Sequence, residues 1–239
     1  MKSSLESQLQ ELFFSVPVFV TPKAFEPYQE ELEKAGTAIR QLHNYLKDLN
    51  YTLDLFKFAQ KAGIEFRDKL REFSPRVLNQ GEDPFRYIHW KTLSGQSTAM
   101  LLYHYSEARD EISRSIFSIK ELSTHVKRDL FKAANKRFIA EFSNVKIIRN
   151  TIAHTSTIET SRKSVIRGPI RNGFVKMEGL GAFSMQMGII GDEFTITRDG
   201  EFFSFRLNES IICSLIEITN NYYSALAPLA DYMQIQERG

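Results

Sequence analysis

The sequence predicts a mainly α-helical protein, an antiparallel helical bundle with a small antiparallel β insertion before the C-terminal helix. Three observations carry that prediction. Leu32, Ala35, Ile39, Leu42, Leu46, Leu49, Leu53 and Phe56 recur at alternating spacings of three and four, the pattern of a helix with one apolar seam. Alternating β-type segments are confined to about 172–207, where Arg198-Asp199-Gly200 separates Glu193–Thr197 from Glu201–Leu207. An Asp-Gly pair between alternating runs is a strong hairpin signal. Beyond Asn208 the helical period resumes at Ile211, Leu215, Ile218, Tyr222, Leu226 and Leu229. The chain then divides into a helical bundle over 1–158, a loop and small sheet over 159–207, and a closing helix over 208–239.

Residues 4–15 fit a short amphipathic helix. Pro17, Pro22 and Pro27 mark an irregular connection, because proline lacks the amide a helix interior needs. The long seam begins near Tyr28 and serves either a bundle or a homodimer. The helix continues past Gly63 to Phe73, where Ser74-Pro75 stops it. Residues 76–85 read as a loop. Residues 86–106 read as a helix with Ile88, Leu93, Met100, Leu101 and Tyr105 on its apolar side, extending to about Lys120 directly or after a kink. One further helix is expected from Thr124 to His154. Residues 159–171 are polar and basic and contain Gly168-Pro169, a loop signature. Phe174–Met177 and Ser184–Ile190 are expected strands. Phe203, Phe205 and Leu207 share a strand face. Asn208 suits the cap of the last helix, and Pro228 is a candidate kink within it.

The 239 residues are 42% hydrophobic and 25% charged, ordinary for a globular chain long enough to bury a sizeable core. The net charge of +2 implies no partner by itself. Its distribution is uneven: Ile119–Lys176 holds thirteen Lys and Arg against four Asp and Glu, a net of +9, so the remainder carries −7. Such a block fits a polyanion footprint, or a solvated basic face balanced by acidic neighbours. The single cysteine, Cys213, excludes an internal disulfide and a cysteine-based zinc site. No stretch approaches a membrane span and the N-terminus lacks a signal-peptide pattern, so the expected compartment is the cytoplasm.

The chemistry concentrates in Ile147-Ile148-Arg149-Asn150-Thr151-Ile152-Ala153-His154. On one continuous helix, Phe131, Phe138, Phe142, Val145 and Ile152 form an apolar stripe with Arg149 in its middle. A guanidinium there has to meet a carboxylate, an interface or a ligand anion. Lys132, Lys136, Ser143, Asn150 and His154 form a second line, with Asn150 and His154 four apart on one face. A plain structural reading also fits these residues. Arg149 would pair with a buried acid such as Glu107 or Glu111, and His154 would sit at a helix C-terminus favoured by its dipole.

Arg149-Asn150-Thr151-Ile152-Ala153-His154 resembles the signature of HEPN domains, an Arg, a polar residue and a later His near a helix end in an all-α bundle. The resemblance covers about residues 30–154, and the β region lies outside it. It implies a metal-independent endoribonuclease whose site forms across a homodimer, in a toxin–antitoxin or phage-defence setting. Arg149, Asn150 and His154 would then be catalytic, with Lys132, Lys136 and Lys146 as backbone contacts to RNA. No cofactor or metal is expected. An antitoxin or a nucleotidyltransferase-type protein is the partner implied, and no membrane. The other function such domains allow is a non-catalytic module that dimerises and binds RNA, a nucleotide or a partner protein.

Other groups are weaker. His43, His89, His104 and His125 have no ligand spacing and read as surface or half-buried residues. Gly179-Leu180-Gly181 lacks the strand-turn-helix context of a dinucleotide loop. Tyr103-His104-Tyr105 and Tyr222-Tyr223 could stack on bases, although aromatic residues at helical spacing usually belong to the core. Asp110 and Glu111 beside Arg109 and Arg114 read as helix-surface ion pairs.

Overall fold

All eight positions of the repeat from Leu32 to Phe56 are buried. They lie on one helix, α2 (Gln29–Glu72), which runs through Gly63 without interruption. The repeat is covered within the chain. The computed structural model describes residues 4–72, 85–153, 174–177, 181–184, 187–198 and 201–238. Around α2 the order is α1 (Ser4–Phe14), a 3-10 turn (Lys23–Tyr28), α3 (Arg86–Phe117), α4 (Lys120–Ser123), α5 (Arg128–Glu141) and α6 (Val145–Ala153). Five strands follow, β1 (Phe174–Met177), β2 (Gly181–Ser184), β3 (Met187–Ile190), β4 (Glu193–Arg198) and β5 (Glu201–Arg206), and then α7 (Glu209–Arg238). The protein is mainly helical, with a small three-stranded antiparallel sheet before the C-terminal helix. No helix among the described residues is long and apolar enough to cross a membrane.

The chain forms two compact units. The first comprises Met1–Asn50, Leu101–Ser143 and Ser210–Gly239. Its core is aromatic. Tyr105 stacks on Phe138 with ring centres 5.3 Å apart, and Phe131 meets both Phe117 and Tyr222 edge-on. Tyr223 of α7 donates to the Ile39 carbonyl of α2, and Tyr222 donates to Asn135 of α5. Burial raises the phenols of Tyr222 and Tyr223 above their ordinary range. These rings are core, as their helical spacing implies.

One buried hydrogen bond in this unit has a fixed direction. Thr219 Oγ1 gives its proton to the Leu215 carbonyl at 2.7 Å, so Tyr105 must donate to Thr219 Oγ1, also at 2.7 Å. Burial pushes the Tyr105 phenol well above its usual value. Thr219→Val strands the Tyr105 hydroxyl and should cost about 2 kcal/mol. Tyr105→Phe leaves Thr219 bonded to Leu215 and should cost about half that. Denaturant melts of the two variants check the order, and equal costs would refute this assignment of donor and acceptor.

The second unit comprises Tyr51–Met100 and Asn144–Glu209. Strands β3, β4 and β5 pair antiparallel in sequence order, with Phe194 opposite Phe205 and Ile196 opposite Met187 and Phe203. Arg198 pairs with Glu201 at the hairpin end, while Asp199 and Gly200 lie outside the described residues. Phe194 and Ile196 are fully buried on one face of β4, and Thr195 is buried on the other, donating to the Gly188 carbonyl. The expected strand over 184–190 is two elements, β2 and β3, in different sheets. β1 and β2 make a separate two-stranded pair. The predicted loops at 76–84 and 159–171 lie outside the described residues.

Two helical expectations are corrected. The helix expected over 124–154 is broken into α5 and α6, with α4 and a turn before them. Phe142 has φ −125° and ψ 37°, outside the helical region, and its amide closes the last turn on the Phe138 carbonyl. In α3, Ile88 and Leu93 are exposed, and the buried side instead includes Ser94, Thr98, Ala99, Leu102, Ser106 and Ile112. Hydroxyls can occupy that side because a helix carbonyl one turn back accepts their proton, as Trp90 does from Ser94 at 2.9 Å. The small side chains also let neighbours approach closely.

Candidate functional site

The break at 142–144 creates α6. Asn144, a favoured residue before a helix, accepts the Ile148 amide at 2.9 Å and opens the first turn. Val145, Ile148 and Thr151 are its buried side, spaced three apart, and the Thr151 hydroxyl donates to the Ile147 carbonyl. α6 touches β4 of the same unit.

Arg149 therefore does not lie in the middle of a buried stripe. That placement assumed a helix continuous from Phe131, and the break resets the rotation. Arg149 is half-buried beside the buried line, and Lys146 and Asn150 are exposed. Arg149 Nη1 donates to Asn150 Oδ1 at 3.0 Å. A guanidinium only donates, so the Asn150 atom it meets is the oxygen. Lys146 and Asn150 are four apart and share a face of the helix. α6 thus presents a guanidinium, an amide and an ammonium within two turns, a set suited to phosphate oxygens.

His154 lies outside the described residues, one position past the last residue of α6. Lys132 and Lys136 are exposed, one turn apart on α5 in the other compact unit. The structure thus groups Arg149, Asn150 and Lys146 on one short helix. Among the described residues no group of three or more His, Cys, Asp or Glu could hold a metal ion. Glu111, one of the acids considered as a partner for Arg149, receives a bond from Arg114 Nη2 at 2.8 Å.

Two features of the first unit were not foreseen. Arg109 is not a surface residue. Its side chain is 8% exposed, its guanidinium lies 4.8 Å from the Phe138 ring centre, and Asp110 accepts from its Nε and Nη2. Arginine is the cation best suited to such a place, because its flat, weakly hydrated head can stack on a ring while it bonds a carboxylate. A groove of about 560 Å³ also runs between the first half of α2 and the second half of α3. Glu30, Glu33, Glu107 and Glu111 line it, with Tyr45 and His104 stacked in it at 6.0 Å. The Lys34 ammonium holds the Glu30 carboxyl below its usual range. Lys34 and Arg114 also line it and pair with Glu30 and Glu111, so the four carboxylates leave the lining net negative, a poor match for RNA.

Of the four remaining histidines, His89 and His104 are exposed, and His43 and His125 are half-buried. Compared with protein-family models, curated proteins and solved structures, the chain matches none.

Proposed function

We propose that the chain is a metal-independent endoribonuclease of HEPN type, working as a homodimer. The observation that carries this reading is the Arg149–Asn150 pair, held together by a hydrogen bond on α6, with His154 four residues after Asn150. RNA supplies its own nucleophile. The 2′-hydroxyl oxygen attacks the adjacent phosphorus and the bond to the 5′-oxygen breaks, leaving a 2′,3′-cyclic phosphate and a 5′-hydroxyl. A base must take the 2′ proton and an acid must give one to the departing 5′-oxygen. Histidine changes protonation near neutral pH and suits both roles, so His154 and its symmetry mate are assigned to them. Arg149 is assigned to the non-bridging phosphate oxygens, where charge builds in the transition state. Asn150 orients the guanidinium through its bond at 3.0 Å. Lys146 supplies a further cation for the backbone of the strand, and Lys132 and Lys136 are proposed as outer contacts. A toxin or defence role follows from the resemblance, as does an antitoxin or nucleotidyltransferase-type partner.

The test is cleavage of a mixed RNA in EDTA by wild type and by His154→Ala. Wild type should leave cyclic-phosphate ends, and the variant should be about a thousandfold slower. Equal inactivity of two folded proteins would favour the non-catalytic binding module. Equal activity would remove His154 from the mechanism.

A further inference from the structure

We infer that the second unit carries a stacking platform for unpaired RNA bases, built from Phe58, Trp90, Tyr87 and Arg86. This deepens the nuclease reading and rests on it for the identity of the ligand. In this half of α2 the core side is Leu53, Phe56 and Ala59, all buried. Phe58 is on the other side and is 57% exposed, and Tyr51, two turns earlier on the same face, is 58% exposed. Phe58 is not isolated. Its ring centre is 5.9 Å from that of Trp90 on α3, and Trp90 meets Tyr87 edge-on at 5.7 Å. The Arg86 guanidinium lies 4.9 Å from the Tyr87 ring centre and 5.5 Å from that of Trp90, and it donates to the Tyr87 hydroxyl at 2.9 Å.

The result is a connected row of rings with a cation bound among them, exposed at its Phe58 end. Aromatic faces and guanidinium planes both stack on nucleobases, and they do so without regard to base identity. A cation within the row adds attraction for the phosphate backbone that joins successive bases. Paired bases are stacked on one another and cannot lie on such a row, so the ligand is single-stranded. The row and α6 belong to the same compact unit.

Trp90 is the only tryptophan in the chain, so its emission reports on this row alone. The experiment titrates the full chain carrying His154→Ala, which leaves the RNA uncut, with a short oligoadenylate. Saturable quenching of Trp90 is expected. Phe58→Ala should weaken binding about tenfold and Phe58→Tyr should restore it. Arg86→Gln should also weaken it. Absence of quenching, equal quenching by duplex RNA, or unchanged affinity in a folded Phe58→Ala variant would overturn the platform. So would emission that shifts with protein concentration together with a dimer that Phe58→Ala abolishes, because a second copy would then cover the row. Quenching by an otherwise wild-type protein that does not cut RNA would sink the nuclease reading and leave the platform. Cleavage without quenching would do the reverse.

Discussion

Gly95→Ala should destabilise the protein by about 3 kcal/mol, although alanine is the better helix former. A Cβ at position 95 would stand 2.6 Å from Phe194 Cγ and 2.9 Å from Phe194 Cε2, distances at which something must shift. The obstacle cannot swing away. Phe194 is fully buried on the central strand β4, paired on both sides by β3 and β5. The extra carbon therefore has to move α3 or the sheet, against a helix-propensity gain of only about 1 kcal/mol. Phe194→Leu alone should cost about 1–2 kcal/mol. In the Gly95→Ala background it should recover part of the loss, giving a coupling of about 1 kcal/mol or more in a double-mutant cycle. Guanidinium melts measure both terms, and additive losses would mean that the two residues do not oppose each other. β4 also touches α6, so on the proposed nuclease reading Gly95→Ala should lower RNA cleavage at temperatures well below its melt.

On the proposed nuclease reading, Arg149→Lys should reduce cleavage about a hundredfold or more while the melting temperature changes little. Lysine keeps the charge but loses the planar fork, which can hold two phosphate oxygens and bond the Asn150 oxygen as well. A transition-state contact lowers kcat and kcat/KM together when it is removed, whereas a binding contact raises KM alone. The pattern expected here is the first. Arg149→Gln should fall further, because it removes the cation at the point where charge develops. Neither variant should unfold the protein, since Arg149 is half-buried beside the buried line of α6 and not within it. Full activity in Arg149→Lys would show that a point charge is enough. A collapsed melt in both would return Arg149 to a structural role.

Much of the fold was legible along the chain. The three-four repeat of α2 identifies its buried side residue by residue, because apolar spacing directly reports which side of a helix can leave water. The β4–β5 hairpin follows from alternation around Asp199-Gly200, and α7 starts right after Asn208 as its capping chemistry suggests. The Arg149–Asn150 bond was not legible, because helical spacing places Asn150 with His154 on another face from Arg149. Nor was α3, because its buried line mixes Ser94, Thr98 and Ser106 with Ala99 and Leu102, while Ile88 and Leu93 face water. A hydroxyl bonded to its own helix looks polar in sequence and behaves as a small core residue in the fold.

Sequence alone therefore determined the mainly helical class, the buried side of α2, the β4–β5 pairing around Asp199-Gly200, and which short stretch carries an arginine, an asparagine and a histidine together. Tertiary structure alone decided the break at Phe142, which no proline or glycine announces and which resets the rotation of Arg149. It also decided the burial of Arg109 against Phe138, the exposure of Phe58, and the dependence of β4 on Gly95. The physical reason is the range of each effect. Periodicity and turn chemistry act within a few residues of the chain, whereas burial of a cation, exposure of a ring or refusal of a methyl group depends on side chains that only folding brings into contact.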